Sequence, residues 1–189
     1  YELLTMANQT TEDVFSLLDN LLKWTKSQIG KLKVVYQEFN MVEVVESVSE
    51  IFTMVAGLKN IKIVQDMPVV PVVVRADIDM LKTVIRNLIS NAIKFSNEGS
   101  EVLVSLTEED GMAIVSVKDS GCGIDEENQK KLLHTDTHFS TFGTNNEEGS
   151  GLGLLLCQDF IVKNGGKLWF TSKKGEGSTF SFSVPLLKK

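Results

Sequence analysis

A short turn between two strand-like segments constrains the fold of this chain more than any other feature. Residues 108–111 (Glu-Glu-Asp-Gly) separate the segments 101–107 and 112–118, in which apolar and polar residues alternate. Two alternating segments joined by such a turn predict an antiparallel β-hairpin. Segments of helical periodicity lie on both sides of the hairpin, at 77–96 and 152–163. The chain therefore predicts a hairpin packed against helices.

The remaining segments extend this pattern into a complete fold. Residues 41–58 also have helical periodicity, and Asp77 is a predicted N-cap for the helix that follows it. Further strands are predicted at 34–36, 61–64, 72–74, 167–172 and 178–184. Helices grouped against a mixed, mostly antiparallel sheet predict the α/β class, as an α+β two-layer sandwich.

The first part of the chain has a different pattern. Between residues 3 and 29 apolar side chains recur at helical spacing, without proline or glycine before Gly30. At 1.5 Å per residue one such helix would reach roughly 40 Å, so we expect it to pack on another long helix as in a coiled coil. We therefore predict two domains, 1–30 and 31–189; the alternative is a core helix of the following domain. Because the chain starts at Tyr1, we expect it to be a piece of a longer protein.

Composition excludes several classes of function. The net charge of -6 and the absence of a basic stripe argue against a nucleic-acid partner. No apolar run approaches the roughly 20 residues of a membrane-spanning helix, so we expect no direct membrane contact. Cys122 and Cys157 lie far apart in the sequence, which favours reduced cytoplasmic thiols over a disulfide or zinc site.

The helix predicted at 77–96 has an unusual polar face. Asn87, Asn91, Lys94 and Phe95 are spaced so that they project from one side of the helix. The amides offer oxygen ligands to a hard cation, the ammonium attracts phosphate, and the ring can stack on a base. These residues are candidate catalytic and binding groups, and the alternative is an ordinary solvated face.

A carboxylate ends the second hairpin strand. Asp119 is followed by Gly121 and Gly123, glycines that let a backbone turn sharply and approach a ligand. A carboxylate at the end of a strand can accept a hydrogen bond from an exocyclic amine such as adenine N6, whereas the O6 of guanine would be repelled. A tight turn without a ligand is the alternative.

Glycines also open the helix predicted at 152–163. Gly149, Gly151 and Gly153 surround Ser150 and Leu152, and unpaired amides at a helix N-terminus form an anion site. The segment is not a Walker A loop, because no Gly-Lys-Ser/Thr follows.

The order and spacing of these elements are more specific than any one of them. They resemble the N, G1, G2 and G3 boxes of sensor histidine kinases, whose ATP-binding catalytic domain has the Bergerat fold of the GHKL superfamily. The resemblance covers residues 31–187 and rests on four segments: 87–95 (Asn-Leu-Ile-Ser-Asn-Ala-Ile-Lys-Phe), 119–123 (Asp-Ser-Gly-Cys-Gly), 149–154 (Gly-Ser-Gly-Leu-Gly-Leu) and 177–180 (Gly-Ser-Thr-Phe). Residues 140–144 look like the lid of hybrid two-component kinases. The leading helix resembles the second helix of the dimerisation and phosphotransfer hairpin.

The resemblance implies roles for individual residues and two cofactors, ATP and Mg²⁺. Asp119 would pair with the adenine amine, supported by Thr179 through water, and Phe95 would flank the base. Asn91 would ligate Mg²⁺ with Asn87 beside it. Lys94 would meet the phosphates, the backbone of residues 151–153 would hold them, and residues 134–150 would form a mobile lid.

The implied activity is transfer of the γ-phosphoryl group of ATP to a histidine on an upstream helix. The implied partners are that phosphoacceptor helix, a response-regulator receiver domain and a second copy of the intact protein, which would be a cytoplasmic part of an inner-membrane sensor. His134 and His138 lie in the lid segment and neither precedes an acid, so we expect neither to be the acceptor. The lid also lacks the Lys or Arg that many relatives have.

Two alternatives stay open. A GHKL ATP hydrolase would need a glutamate base where Asn87 stands, and an amide cannot accept that proton. A degenerate module would bind nucleotide or a partner without catalysis, as the uncharged lid allows.

Overall fold

The computed structural model describes residues 32–132, 144 and 152–187, together with Leu18, Leu21, Leu22 and Thr25. The chain divides into two compact units, Tyr1–Lys33 and Val34–Lys189. In the first unit the four isolated residues are helical and exposed, and the Thr25 hydroxyl donates to the carbonyl of Leu21 over 2.7 Å. The extent of the helix predicted at 3–29 lies outside the described residues, and its assignment to a phosphotransfer hairpin stays a prediction.

The second unit contains two sheets. The strands are β1 (Gln37–Asn40), β2 (Lys62–Asp66), β3 (Val73–Ala76), β4 (Glu101–Glu109), β5 (Met112–Asp119), β6 (Leu168–Lys173) and β7 (Gly177–Pro185). The larger sheet has five strands in the order β2-β4-β5-β7-β6 and the smaller one pairs β1 with β3. β2 is parallel to β4, and the other neighbours are antiparallel.

Long helices form the second layer. The helices are α1 (Met41–Gly57), α2 (Ile78–Phe95), the single turn α3 (Glu126–Gln129) and α4 (Leu152–Lys163), and α1, α2 and α4 form this layer. One face of the large sheet carries buried side chains such as Val104, Val117 and Phe182, which pack under the helices. The apolar stripe of α2, including Leu81, Ile85 and Leu88, fills the space between the layers. The predicted two-layer α/β sandwich is therefore confirmed.

The hairpin and the start of α2 follow from local sequence signals. The β4–β5 loop consists of Asp110 and Gly111, with φ angles of 49° and 76°, the left-handed values that a two-residue hairpin turn requires. The Asp77 side chain accepts from the backbone N–H groups of Asp79 and Met80, so it caps α2 as predicted.

The strand predicted at 34–36 is not formed. Strand β1 begins later, at Gln37, because residues 37–40 are the ones that pair with β3. The backbone N–H of Val35 donates instead to the Asp77 carboxylate over 2.8 Å. The β-branched residues of this segment favoured a strand, but the backbone N–H of Val35 bonds to the residue that caps α2.

Candidate functional site

The polar face of α2 meets the start of α4. The Asn87 Nδ2 donates to the carbonyl of Thr83 over 3.0 Å, which turns the amide oxygen away from the α2 backbone. A Cβ atom added to Gly153 would lie 2.9 Å from that oxygen. Glycine in the first turn of α4 therefore leaves room for the Asn87 amide, and the structure brings these two predicted residues together. Asn91 is half-buried one turn later on α2.

The last turn of α2 presents a cation beside a ring. The Lys94 ammonium lies 5.3 Å from the centroid of the Phe95 ring. Both side chains are half-buried. This pairing places a positive charge and a flat apolar surface at one end of the helix, where a ligand with phosphate and an aromatic base could use both.

Asp119 is the buried acidic group of the site. It ends β5, is 4% exposed, and accepts from the backbone N–H groups of Gly121 over 2.9 Å and Ser178 over 3.2 Å. Both bonds end on Oδ1. Burial raises the pKa of this carboxyl above its usual value, against the two backbone hydrogen bonds, which lower it. A hydrogen-bonded Oδ1 fixes the orientation of Oδ2, the oxygen that can accept from a ligand.

The glycines after Asp119 are required by the protein's own backbone. A Cβ atom added to Gly121 would lie 2.0 Å from the carbonyl oxygen of Phe95, and one added to Gly123 would lie 2.0 Å from that of Lys173. Gly123 also has a φ of 61°. The Cys122 N–H donates to the Phe95 carbonyl over 3.2 Å. The loop is thereby packed between the end of α2 and the end of β6, which brings Asp119 to Phe95.

Thr179 is adjacent to the site in the sheet, but its side chain lies on the other face. Thr179 pairs with Lys118, and successive side chains alternate between the two faces of a sheet, so Thr179 lies on the face opposite Asp119. A recess of about 320 Å³ at this edge of the sheet is lined by Thr179 and by Asp119 and Ser178, together with Lys118, Thr171 and Lys173. No α2 residue lines this recess.

Ser178 is the residue that sequence reasoning missed. It lies on the helix-facing side with Phe180 and Phe182, its backbone N–H reaches Asp119, and its hydroxyl is 2.9 Å from that of Ser172. The signal was available in the sequence, because Phe180 and Phe182 alternate as core residues and place Ser178 on the same face.

Lys59 is a second residue that the sequence did not indicate. It follows α1, and its ammonium donates to the carbonyls of Ile93 and Lys94 over 3.1 and 3.0 Å and to the Thr144 hydroxyl over 2.6 Å. Thr144 belongs to the predicted lid segment 140–144. Apart from Thr144, the predicted lid 134–150, which includes Gly149, lies outside the described residues, and so does Gly151. Leu152 is buried in the first turn of α4.

The described part of the chain contains neither a cluster of metal-binding side chains nor a membrane-spanning helix. No group of three or more His, Cys, Asp or Glu side chains there could hold a metal ion. The amide oxygens of Asn87 and Asn91 are the predicted cation ligands, and such oxygens suit a hard cation that also binds phosphate. No helix within these residues has both the length and the apolar character to cross a membrane.

The architecture is a two-layer α/β sandwich with a polar, glycine-lined site, and comparison with known proteins identifies its family. The family model for histidine kinase-, DNA gyrase B-, and HSP90-like ATPase matches residues 76–188, and the chain belongs to this family. The resemblance stated from the sequence is therefore confirmed.

The relatives are sensor kinases. Adaptive-response sensory kinase SasA of Crocosphaera subtropica is 34% identical over 173 residues, which are 91% of this chain and 45% of that protein. Hybrid signal transduction histidine kinase C of Dictyostelium discoideum is 34% identical over 197 residues, 98% of this chain and 16% of that protein. The chain thus spans less than half the length of either relative.

Solved structures agree with the sequence relatives. The catalytic domain of histidine kinase ThkA has a TM-score of 0.69 and 30% identity, covering 80% of this chain and 95% of that domain. ThkA in complex with response regulator protein TrrA matches with a TM-score of 0.75 at 24% identity, covering 95% of this chain and 49% of that one, and shows the shared fold alone.

Proposed function

We propose that this chain is the ATP-binding catalytic domain of a sensor histidine kinase and transfers the γ-phosphoryl group of ATP to a histidine on a separate helix. The observation that carries the proposal is the buried Asp119, held through Oδ1 at the end of β5 in a chain of this ATPase family. Its Oδ2 would accept from the adenine amine, with Phe95 flanking the base.

The phosphates would bind along the polar face of α2, between Lys94 and the start of α4. Lys94 would attract them, and the backbone of residues 151–153 would donate to them at the start of α4. Asn91, with Asn87 beside it, would hold Mg²⁺, and the bound ion would neutralise phosphate charge. The amide oxygen of Asn87 points off the helix toward Gly153, which fits an oxygen ligand at this position.

Asn87 favours phosphotransfer over ATP hydrolysis. A hydrolase of this fold needs a carboxylate base to activate water, and the Asn87 amide, whose Nδ2 donates to Thr83, cannot accept a proton. Transfer to a positioned histidine needs no base at Asn87, since positioning and electrostatics dominate phosphoryl transfer.

The names of the relatives support the partners that this proposal gives to the intact protein. A hybrid kinase among them supports a receiver domain as the next phosphoryl acceptor, and ThkA, which shares the fold, is known in complex with a response regulator. We include in the proposal dimerisation through the first unit and a place on the cytoplasmic side of an inner membrane. The acceptor histidine would be supplied by a separate helix.

The test compares Asp119→Asn with the matched control Asp110→Asn in the exposed hairpin turn. In Asp119→Asn the amide oxygen would keep the two backbone donors, so the NH₂ group would face the adenine amine. We expect ATP affinity to fall by about 1.5–3 kcal/mol, roughly 10- to 150-fold, with an unchanged circular dichroism spectrum. Calorimetry measures ATP and GTP binding, and Asp110→Asn should match the parent. Equal affinity of the parent for ATP and GTP would remove Asp119 from this role.

The same variants test the reaction. With γ-labelled ATP, we expect the parent chain to label a phosphoacceptor hairpin added as a separate polypeptide and not itself. Asp119→Asn should label it at least about tenfold more slowly at limiting ATP, in line with its weaker binding. ATP binding without labelling of the hairpin would favour the degenerate module, and release of free phosphate would favour the hydrolase.

A further inference from the structure

The C-terminal end of α2 is built from three distant segments. A helix leaves its last carbonyl groups without partners inside the helix. Here the carbonyls of residues 93 and 94 accept from the Lys59 ammonium, that of Phe95 accepts from the Cys122 N–H, and that of Ser96 accepts from the Thr144 hydroxyl. These donors come from the turn after α1, the loop after β5 and the interval before α4.

Lys59 and Thr144 contact each other as well as the helix. The Lys59 ammonium lies 2.6 Å from the Thr144 hydroxyl oxygen, which accepts the bond. That hydroxyl has one proton, and the carbonyl oxygens of Lys94 and Ser96 lie 3.1 and 2.8 Å away. The Thr144 backbone N–H also donates to Lys94 over 3.1 Å. The Lys94 carbonyl therefore accepts from the Lys59 ammonium and from the Thr144 backbone N–H, and the Thr144 hydroxyl lies beside it.

The charge of Lys59 suits this position. The C-terminal end of a helix carries a partial negative charge, and an ammonium beside the last carbonyls is stabilised by it. Lys59 supplies that charge from outside the helix, whereas the Lys94 side chain extends over the Phe95 ring.

We propose that Lys59, together with the Thr144 hydroxyl, is a positioning residue for the nucleotide site. The pair fixes the carbonyl of Lys94, and this sets the direction of the Lys94 side chain toward the phosphates. The inference rests on the proposed ATP-binding function and extends it to two residues outside the predicted set of ligand contacts. Phe95 is held independently, since its carbonyl accepts from Cys122. The phosphate end of the site should therefore depend on Lys59 more than the adenine end.

The experiment separates the two ends by ligand. Calorimetry measures the affinity of each variant for Mg·ATP and for adenosine, and thermal unfolding is followed in parallel. The variants are Lys59→Met, Thr144→Val, their double mutant, the conservative Thr144→Ser, and the matched control Lys62→Met on the exposed side of β2.

We expect Lys59→Met to weaken Mg·ATP binding about 3- to 10-fold while adenosine binding changes less than about twofold. Thr144→Val should weaken Mg·ATP binding in the same way. The fold-loss of affinity in the double mutant should be no more than about twice the larger single fold-loss, because the two groups act as one unit. Thr144→Ser and Lys62→Met should bind both ligands like the parent.

Two results would overturn the proposal. Parental affinity for Mg·ATP in both Lys59→Met and Thr144→Val would show that the contacts do not act on the site. Parallel losses for ATP and adenosine that follow the fall in melting temperature would show a structural role only. Failure of the ATP-binding function itself is recognised separately, since the parent chain would then bind neither ligand.

Discussion

Asp77 and Asp119 are the same residue type at equivalent places, yet their surroundings differ. Each directly follows or ends a strand, and they are 7% and 4% exposed. Asp77 uses both oxygens within the fold: Oδ1 accepts from Asp79 and Met80, and Oδ2 accepts from Val35. Asp119 accepts both of its backbone bonds on Oδ1. A carboxylate with both oxygens engaged serves stability, whereas one with a single engaged oxygen is available to a ligand.

Removing the Asp77 carboxylate should give the largest loss of stability. Asp77→Ala deletes the cap of α2 and leaves the N–H of Val35 without its acceptor, so we expect the free energy of unfolding to fall by about 2–3 kcal/mol. Urea unfolding measures this difference. Asp79→Ala, in the exposed first turn of the same helix, should cost less than about 1 kcal/mol. Equal losses in the two variants would contradict the role of Asp77 in joining α2 to Val35.

Asp119 should show the opposite dependence of stability on pH from a salt-bridged carboxylate. Its pKa is raised in the fold, so the folded state retains a proton that the unfolded chain releases. Stability of the parent therefore falls as pH rises from the usual aspartate pKa to the raised value, and stays at that lower level above it. Relative to the parent, Asp119→Asn should gain stability over this interval. Urea unfolding at a series of pH values measures the difference in free energy of unfolding between Asp119→Asn and the parent. If the advantage of the variant grew on acidification, the pKa of Asp119 would be lowered instead.

Thr179→Val should have the smallest effect. Thr179 lies on the sheet face opposite Asp119, and valine has nearly the same shape and a high strand propensity. We expect ATP affinity within about twofold of the parent and a stability change within about 0.5 kcal/mol. Calorimetry and urea unfolding check both. A loss of ATP affinity comparable to that of Asp119→Asn would show that Thr179 supports the adenine contact after all, as the resemblance implied.

The features that local sequence determines were predictable. The cap at Asp77, the turn at residues 110–111 and the apolar stripe of α2 each depend on residues within a few positions of one another. The polar face of α2 follows from helical spacing in the same way. Local propensity did not predict the first strand correctly. The β-branched segment 34–36 favours a strand, but residues 37–40 are the ones that pair with β3.

The features that depend on distant residues could not be predicted in the same way. Lys59 and Thr144 are 85 positions apart, and neither residue type at either position indicates the other. The alternation of Phe180 and Phe182 indicates the face of Ser178, but the pairing of that strand end with Asp119 depends on the register of β7 against β5. The need for glycine at position 121 also could not be predicted from nearby residues, because it arises from the close approach of the distant Phe95 carbonyl.

The close approach at Gly121 has a consequence for interpreting diverged members of the family. Because the glycine accommodates the backbone of α2, a relative that lost nucleotide binding would still be under selection to retain it for folding. The charge at position 119 has no such obligation: burial without a ligand makes it unfavourable, and an asparagine oxygen could accept the bonds from Gly121 and Ser178. A sequence with the glycine but without the aspartate would therefore indicate a retained scaffold that has been released from catalysis.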